Sequence, residues 1–293
     1  MLKPKFCLSV FLLAFCVAIF AEIAPTKIID FKKTDKGDLK LHIFEPAEHN
    51  TNQKKPCIVF FFGGGWVGGD PTQFYQQADW FAKRGVLAIS AQYRTKKSHG
   101  VSPEFCVEDG KSAIRWVRSH ADELGIDPEK LIAAGGSAGG HVVACTGVVE
   151  GFDSKSESLE VSSKPVAMIL FNPVLDTTKK GYGAQKMKKL GTQLSPCHLV
   201  KKGIVPTLVF HGTKDRTVPF ENAERFTRLM KEAGNSCTLI PFEGKDHGFF
   251  NGSLKRPKNG DEDFLITMKK SAEFLNSLGV ISYSEQRPEA DRQ

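Results

Sequence analysis

The chain has 293 residues, 41% hydrophobic and 25% charged, enough for one substantial core and a single large α/β domain. Its formal charge of +7 is dispersed along the sequence, which argues against nucleic acid as a partner. Seven cysteines at wide spacings give neither a disulfide framework nor a metal-ligand pattern. Cys7 and Cys16 fall in the N-terminal segment. Of the other five, Cys57, Cys106, Cys145, Cys197 and Cys237, at most two bridges can form, and Cys57, Cys145 and Cys237 read as small buried apolar residues.

Met1 to Lys5 carries two lysines and is followed by an apolar run from Phe6 to Phe20, then Ala21 and Glu22. That run is shorter than a spanning helix needs, so residues 1–21 read as a signal peptide of an exported protein with no stable membrane association after cleavage, the alternative being an uncleaved anchor. Ile28 to Phe31 and Leu39 to Phe44 flank the turn Asp35-Lys36-Gly37-Asp38 and read as a hairpin. Cys57 to Phe62 is a continuous apolar run, as expected of a parallel strand buried on both faces, and it empties into Gly63-Gly64-Gly65-Trp66-Val67-Gly68-Gly69. Pro71 to Arg84 has helical spacing, Val86 to Tyr93 reads as a strand, and Pro103 opens a helix that ends near Gly125.

Leu131 to Gly136 is another apolar strand, and it runs into Ser137-Ala138-Gly139-Gly140-His141 at the start of helix-forming sequence. G-x-S-x-G in this context reads as a sharp strand-to-helix turn that lifts a serine clear of the sheet, with small neighbours because the backbone there is strained. Gly151 to Lys164 reads as a polar loop, Val166 to Phe171 as a strand broken by Asn172-Pro173, and Asp176 to Gly203 as a lysine-rich insertion over the sheet. Strand Thr207 to Phe210, helix Phe220 to Gly234, strand Ser236 to Phe242 and helix Glu262 to Leu278 follow. The domain is thus expected over residues 22–280, with small insertions near 151–164 and 176–203 and a polar tail over 281–293. The alternation predicts a mostly parallel sheet with helices on both faces and the ligand crevice at the carboxyl ends of its strands.

A serine hydroxyl needs a base to take its proton and a carboxylate to orient that base. His247, between Asp246 and Gly248 after the last strand, is the expected base, and Asp215, in His211-Gly212-Thr213-Lys214-Asp215, the expected acid. The order Ser137, Asp215, His247 is that of the α/β-hydrolase arrangement. Asp246 is a rival acid by sequence but adjoins the histidine, and Asp176 is a reserve.

These motifs, with Phe62-Gly63-Gly64-Gly65-Trp66, Gln92-Tyr93-Arg94, Asp109 to Val117, Val218-Pro219 and Asp246-His247-Gly248-Phe249, resemble the α/β-hydrolase serine esterases of the hormone-sensitive-lipase-like and bacterial acetyl-esterase (acetylxylan-esterase-like) group. The resemblance covers roughly Ile43 to Leu278. It implies the α/β-hydrolase fold, hydrolysis of short-chain acyl esters through an acyl-enzyme, a small ester or acylated saccharide as substrate, and an oxyanion hole made by the amides of Gly64, Gly65 and Ala138. It also implies that Arg94 and Asp109 form a scaffold pair and that His141 is a packing residue. Phe62 stands where the family usually has histidine. No metal site and no nucleotide-cofactor motif stands out. Bulky Phe62 and Trp66 are expected to wall the acyl pocket. The alternatives are a peptidase of the prolyl-oligopeptidase type, which normally carries a further domain, and a non-catalytic binding protein on the same fold.

Overall fold

The computed structural model describes residues 23–284, so the predicted signal at 1–21 and most of the polar tail lie outside the described residues. Eight strands form one sheet: β1 (Lys27–Lys32), β2 (Leu39–Phe44), β3 (Lys55–Phe61), β4 (Leu87–Ala91), β5 (Ile126–Gly136), β6 (Met168–Phe171), β7 (Thr207–Gly212) and β8 (Cys237–Phe242). Their order is β1-β2-β4-β3-β5-β6-β7-β8. β1, β2 and β4 pair antiparallel, and every pairing from β4 through β8 is parallel.

The apolar runs explain the centre of this sheet. Ile58 to Phe61 on β3 and Leu131 to Ala134 on β5 are fully buried, as strands covered on both faces must be. β2 keeps a two-residue alternation, with Leu39, Leu41 and Ile43 inside. From β3 the chain steps one way to β4 through the helix Tyr75–Ala82, then back past β3 to β5 through the helix Pro103–Ser119. Right-handed crossovers therefore place these two helices on opposite faces, and the direction of winding reverses between β3 and β5. At such a switch point the loops leaving the strands part and open a crevice. The two loops that part here begin at Gly63 and Ser137.

Two expected helices differ in detail. Pro71 to Arg84 is a 3-10 turn, Pro71–Phe74, followed by the helix Tyr75–Ala82; Asp70 caps the turn by accepting from the Thr72 amide at 2.9 Å. The helix from Pro103 stops at Ser119, and a separate turn, Ala121–Leu124, ends at Gly125 with φ +63. Arg94 and Asp109 form the expected scaffold pair, with Nε to Oδ2 at 2.8 Å and Nη2 to Oδ1 at 2.7 Å around a fully buried carboxylate. All five described cysteines are buried and free.

The 176–203 insertion folds as three short turns, Ala184–Met187, Lys188–Leu190 and Pro196–Leu199. Buried Met187, Leu194 and Cys197 join it to the core. Past the helix Glu262–Ser277, Ile281 is buried and the Tyr283 ring packs 6.2 Å from that of Trp80, so the start of the expected polar tail is held against the core.

Candidate active site

Ser137 sits between β5 and the helix Ala138–Val148 with φ +53 and ψ −119, a conformation that costs a non-glycine residue on the order of 1–3 kcal/mol. The local sequence tolerates it because its neighbours have no side chains in the way. A Cβ on Gly139 would run into the carbonyl oxygens of Phe61 and Phe62, and one on Gly135 into the backbone of Gly139. The Ser137 amide donates to the Phe171 carbonyl at 2.9 Å, which ties the turn to the end of β6.

Three loops at the strand ends meet here. His247 Nε2 lies 3.0 Å from Ser137 Oγ, and His247 Nδ1 lies 2.7 Å from Asp215 Oδ2. The Asp215 side chain is buried, which opposes its charge. Hydrogen bonds from His211 and His247 and from the Val218 amide outweigh that cost and hold the carboxyl well below the usual carboxylate range. Oδ1 accepts from the Thr217 and Val218 amides at 2.8 and 2.9 Å, so the turn itself fixes which oxygen faces the imidazole. Such a series can move the serine proton onto Nε2 while the carboxylate holds Nδ1–H.

The two rival acids lie elsewhere in the network. Asp246 is exposed and accepts from the Arg216 and His247 amides at 3.1 and 2.7 Å, so it braces the loop. Asp176 is buried, bonded to Thr178 and held by Arg225 at 2.7 Å.

A cleft of about 380 Å³ opens over Ser137, with Gly63, Gly64 and Gly65 on one side and His247 and Gly248 on the other. The amides of Gly64 and Gly65 donate to no backbone partner among the described residues. The amide of Ala138, at the first position of its helix, has no intrahelical acceptor. These are the three donors named from the sequence.

Phe62 and Trp66 do not wall the cleft. Both are 1% exposed. Phe62 stacks on Tyr93 with ring centroids 4.1 Å apart, and the Tyr93 hydroxyl donates to the Phe62 carbonyl at 2.6 Å. An aromatic stack thus supports the loop where the family usually has histidine. Trp66 has φ +61, which turns its ring away from the opening and edge-on to His141 at 5.1 Å. The apolar part of the wall comes from Phe250 and the ring of Tyr182, and the remainder includes Asp70, Gln73, Asn172, Thr217 and Asn251.

Sequence reasoning missed the side-chain amides that shape this cleft. Gln73 accepts from the Gly63 amide at 2.6 Å and donates to Asn251 at 3.2 Å, and Asn251 donates to the Gly248 carbonyl at 2.9 Å. These amides link the glycine loop to the His247 loop. From the insertion, Lys186 donates to the Gly65 carbonyl at 3.2 Å and to the Tyr182 hydroxyl at 3.0 Å. Lys179, Lys180, Lys188 and Lys189 are exposed, as a solvated face would be.

His141 lies one turn beyond Ser137, fully buried, and bonds to the Leu194 carbonyl at 2.7 Å through Nε2. Burial pushes its pKa down to about 4, against the pull of that carbonyl. The unfolded chain takes up this proton near the ordinary histidine value of about 6.5, and the folded protein does so only at the lower pH. Stability should therefore be lost as pH falls between those values, by on the order of 3 kcal/mol in full. His141→Gln should melt below wild type at pH 7, and the gap should narrow by roughly 2 kcal/mol at pH 4.5. A gap independent of pH in thermal melts would remove His141 as the group responsible.

The BD-FAE family model matches residues 41–230. Esterase 2 of Thermogutta terrifontis in its apo form is 44% identical over 90% of this chain and 98% of its own, with a TM-score of 0.84. Other structures of that esterase show it phosphorylated by paraoxon, or with propionate or butyrate bound. The acetylxylan esterase of Xylanibacter ruminicola is 27% identical over 81% of this chain and 49% of its own. A probable isoprenylcysteine alpha-carbonyl methylesterase of Arabidopsis thaliana is 26% identical over 73% and 49%. The chain spans about half the length of these curated relatives. The family model covers most of the chain and the Thermogutta esterase nearly all of the fold, so the chain belongs to the BD-FAE family, among the α/β-hydrolase serine carboxylesterases of the hormone-sensitive-lipase-like and acetylxylan-esterase group.

Proposed function

We propose that this chain hydrolyses short-chain acyl esters through an acyl-enzyme on Ser137, with His247 as general base and then acid and Asp215 orienting it. The observation that carries the reading is the unbroken series Ser137 Oγ, His247 Nε2, His247 Nδ1, Asp215 Oδ2, with separations of 3.0 and 2.7 Å at the floor of an open cleft. In the acylation step Ser137 Oγ attacks the ester carbonyl as its proton passes to Nε2, and the amides of Gly64, Gly65 and Ala138 receive the developing oxyanion. Collapse breaks the bond to the alcohol, which leaves with the proton from Nε2. Water then repeats the sequence on the acyl-enzyme, releasing the acid and restoring Ser137.

The short-chain preference rests on the wall. With Phe250 and Tyr182 as its aromatic surfaces and amides and charges around them, the cleft offers little apolar area to a long acyl group. The propionate and butyrate bound by the Thermogutta esterase are of the size expected here. A well-formed apolar pocket would return about 0.8 kcal/mol per buried methylene and so favour longer chains. On a nitrophenyl ester series, kcat/KM should instead peak between acetyl and butyryl and fall at least about tenfold at octanoyl, equivalent to about 1.4 kcal/mol. A maximum at octanoyl or longer would reject the short-chain reading. An acetylated polysaccharide is the proposed natural substrate class, supported by the acetylxylan esterase relative. Acetate release from acetylated xylan in the same assay tests it, and absence of release with active nitrophenyl hydrolysis would remove that substrate alone.

A further inference from the structure

Asn172 directly follows β6 as a fully buried amide with φ +34, in the wall of the cleft. A polar side chain in a strained, buried position calls for a partner that justifies it. Its Nδ2 lies 3.3 Å from His247 Nε2, and its Oδ1 lies 3.4 Å from the Gly248 amide nitrogen. The Gly248 N–H can only donate, so it faces the carbonyl oxygen and sets which way round the amide sits. The NH2 group then points at the same nitrogen that Ser137 Oγ approaches.

We propose that Asn172 is a positioning residue for the ester hydrolysis, its amide N–H steadying the His247 ring at Nε2 in the neutral form that accepts the serine proton. This rests on the assignment of His247 as base. Asp215 at Nδ1 draws the ring proton to that side, which leaves the lone pair on Nε2. A second donor facing that lone pair favours it, and disfavours the imidazolium, whose Nε2 itself carries a hydrogen. The imidazolium formed during attack is then the readier to give its proton to the leaving alcohol. The charged groups around the ring act at other atoms. Asp215 faces Nδ1, with His211 behind it at 3.2 Å; Asp246 accepts from the His247 amide at 2.7 Å; Arg256 donates to the His247 carbonyl at 3.1 Å. Among the described residues, Ser137 Oγ and Asn172 are what reaches Nε2 within hydrogen-bonding distance.

The test is the pH profile of kcat/KM on nitrophenyl acetate for wild type, Asn172→Asp and Asn172→Gly. Both replacements accept a positive φ, so the strand end keeps its conformation. Asparate-for-amide exchange keeps an acceptor for Gly248 but sets a carboxylate oxygen against Nε2, and the acid limb should move up by about one unit or more. Glycine removes the donor, and the limb should move the same way by less. In both, KM should stay near wild type, so the change is read in the position of the limb and not in substrate binding. A wild-type limb that stays in place in both variants overturns the inference while leaving His247 as base. If Asn172→Asp fails to fold, an unmoved limb in Asn172→Gly overturns it alone. A wild-type profile with no acid limb overturns the base assignment itself, and this inference with it.

Discussion

Ser137→Ala is expected to lower kcat by on the order of 10⁴ or more while leaving circular dichroism and the melting temperature close to wild type. The change deletes one oxygen at the floor of an open cleft, touching His247 at 3.0 Å. The backbone strain at φ +53 remains, because alanine has the same Cβ. What survives is hydrolysis by water helped by the oxyanion donors, and that residue of activity sets the floor of the measurement. Paraoxon supplies an independent readout, since the Thermogutta esterase is phosphorylated by it. Wild type should gain one diethylphosphoryl group by mass spectrometry, located on the peptide containing Ser137, and the variant none. Activity above a tenth of wild type, or labelling that persists in the variant, would place the nucleophile elsewhere.

The arrangement of the fold was legible because its centre obeys the simplest rule. Apolar runs such as Ile58 to Phe61, short, β-branched and aromatic and flanked by Pro56 and Gly63, read as strands buried on both faces, and strands of that kind joined by amphipathic helices wind a parallel sheet. The elbow was legible for a related reason, since a serine between Gly135 and Gly139 announces a turn that no larger neighbours permit. Side-chain direction in the loops was not legible. Trp66 stands among glycines beside the cleft, and residue type alone made it a wall; the sign of its φ, which composition does not encode, turned it under the loop. Gln73, Asn172 and Asn251 escaped notice because amides carry no periodic signature. Asn172-Pro173 announced only the end of a strand, and its contact with His247 arises from pairing between segments 75 residues apart in the sequence. Lys186 was one of many lysines in a polar insertion until the fold brought it to the Gly65 carbonyl.

Asp215→Asn is expected to cost about as much as loss of the nucleophile's base, with kcat down by about 10⁴, for a reason specific to this turn. The Thr217 and Val218 amides hold one side-chain oxygen at 2.8 and 2.9 Å, and an asparagine would have to give them its only oxygen. Its NH2 would then face His247 Nδ1 at the position where a carboxylate oxygen now sits at 2.7 Å. A donor there makes Nδ1 an acceptor and moves the ring proton to Nε2, against Ser137 Oγ, so the imidazole is in the wrong tautomer to act as base. The same NH2 meets His211, which now lies 3.2 Å from the carboxylate. Asp246→Asn lacks every one of these consequences. Its carboxylate is exposed and accepts from the backbone amides of Arg216 and His247, which an amide oxygen also serves, so kcat should stay within about threefold of wild type. Steady-state kinetics of the two variants, with thermal melts to show that both fold, decide between the carboxylates. A near-normal Asp215→Asn beside a crippled Asp246→Asn would make Asp246 the residue that orients His247, and the loop would have to rearrange in the working enzyme to bring it to Nδ1.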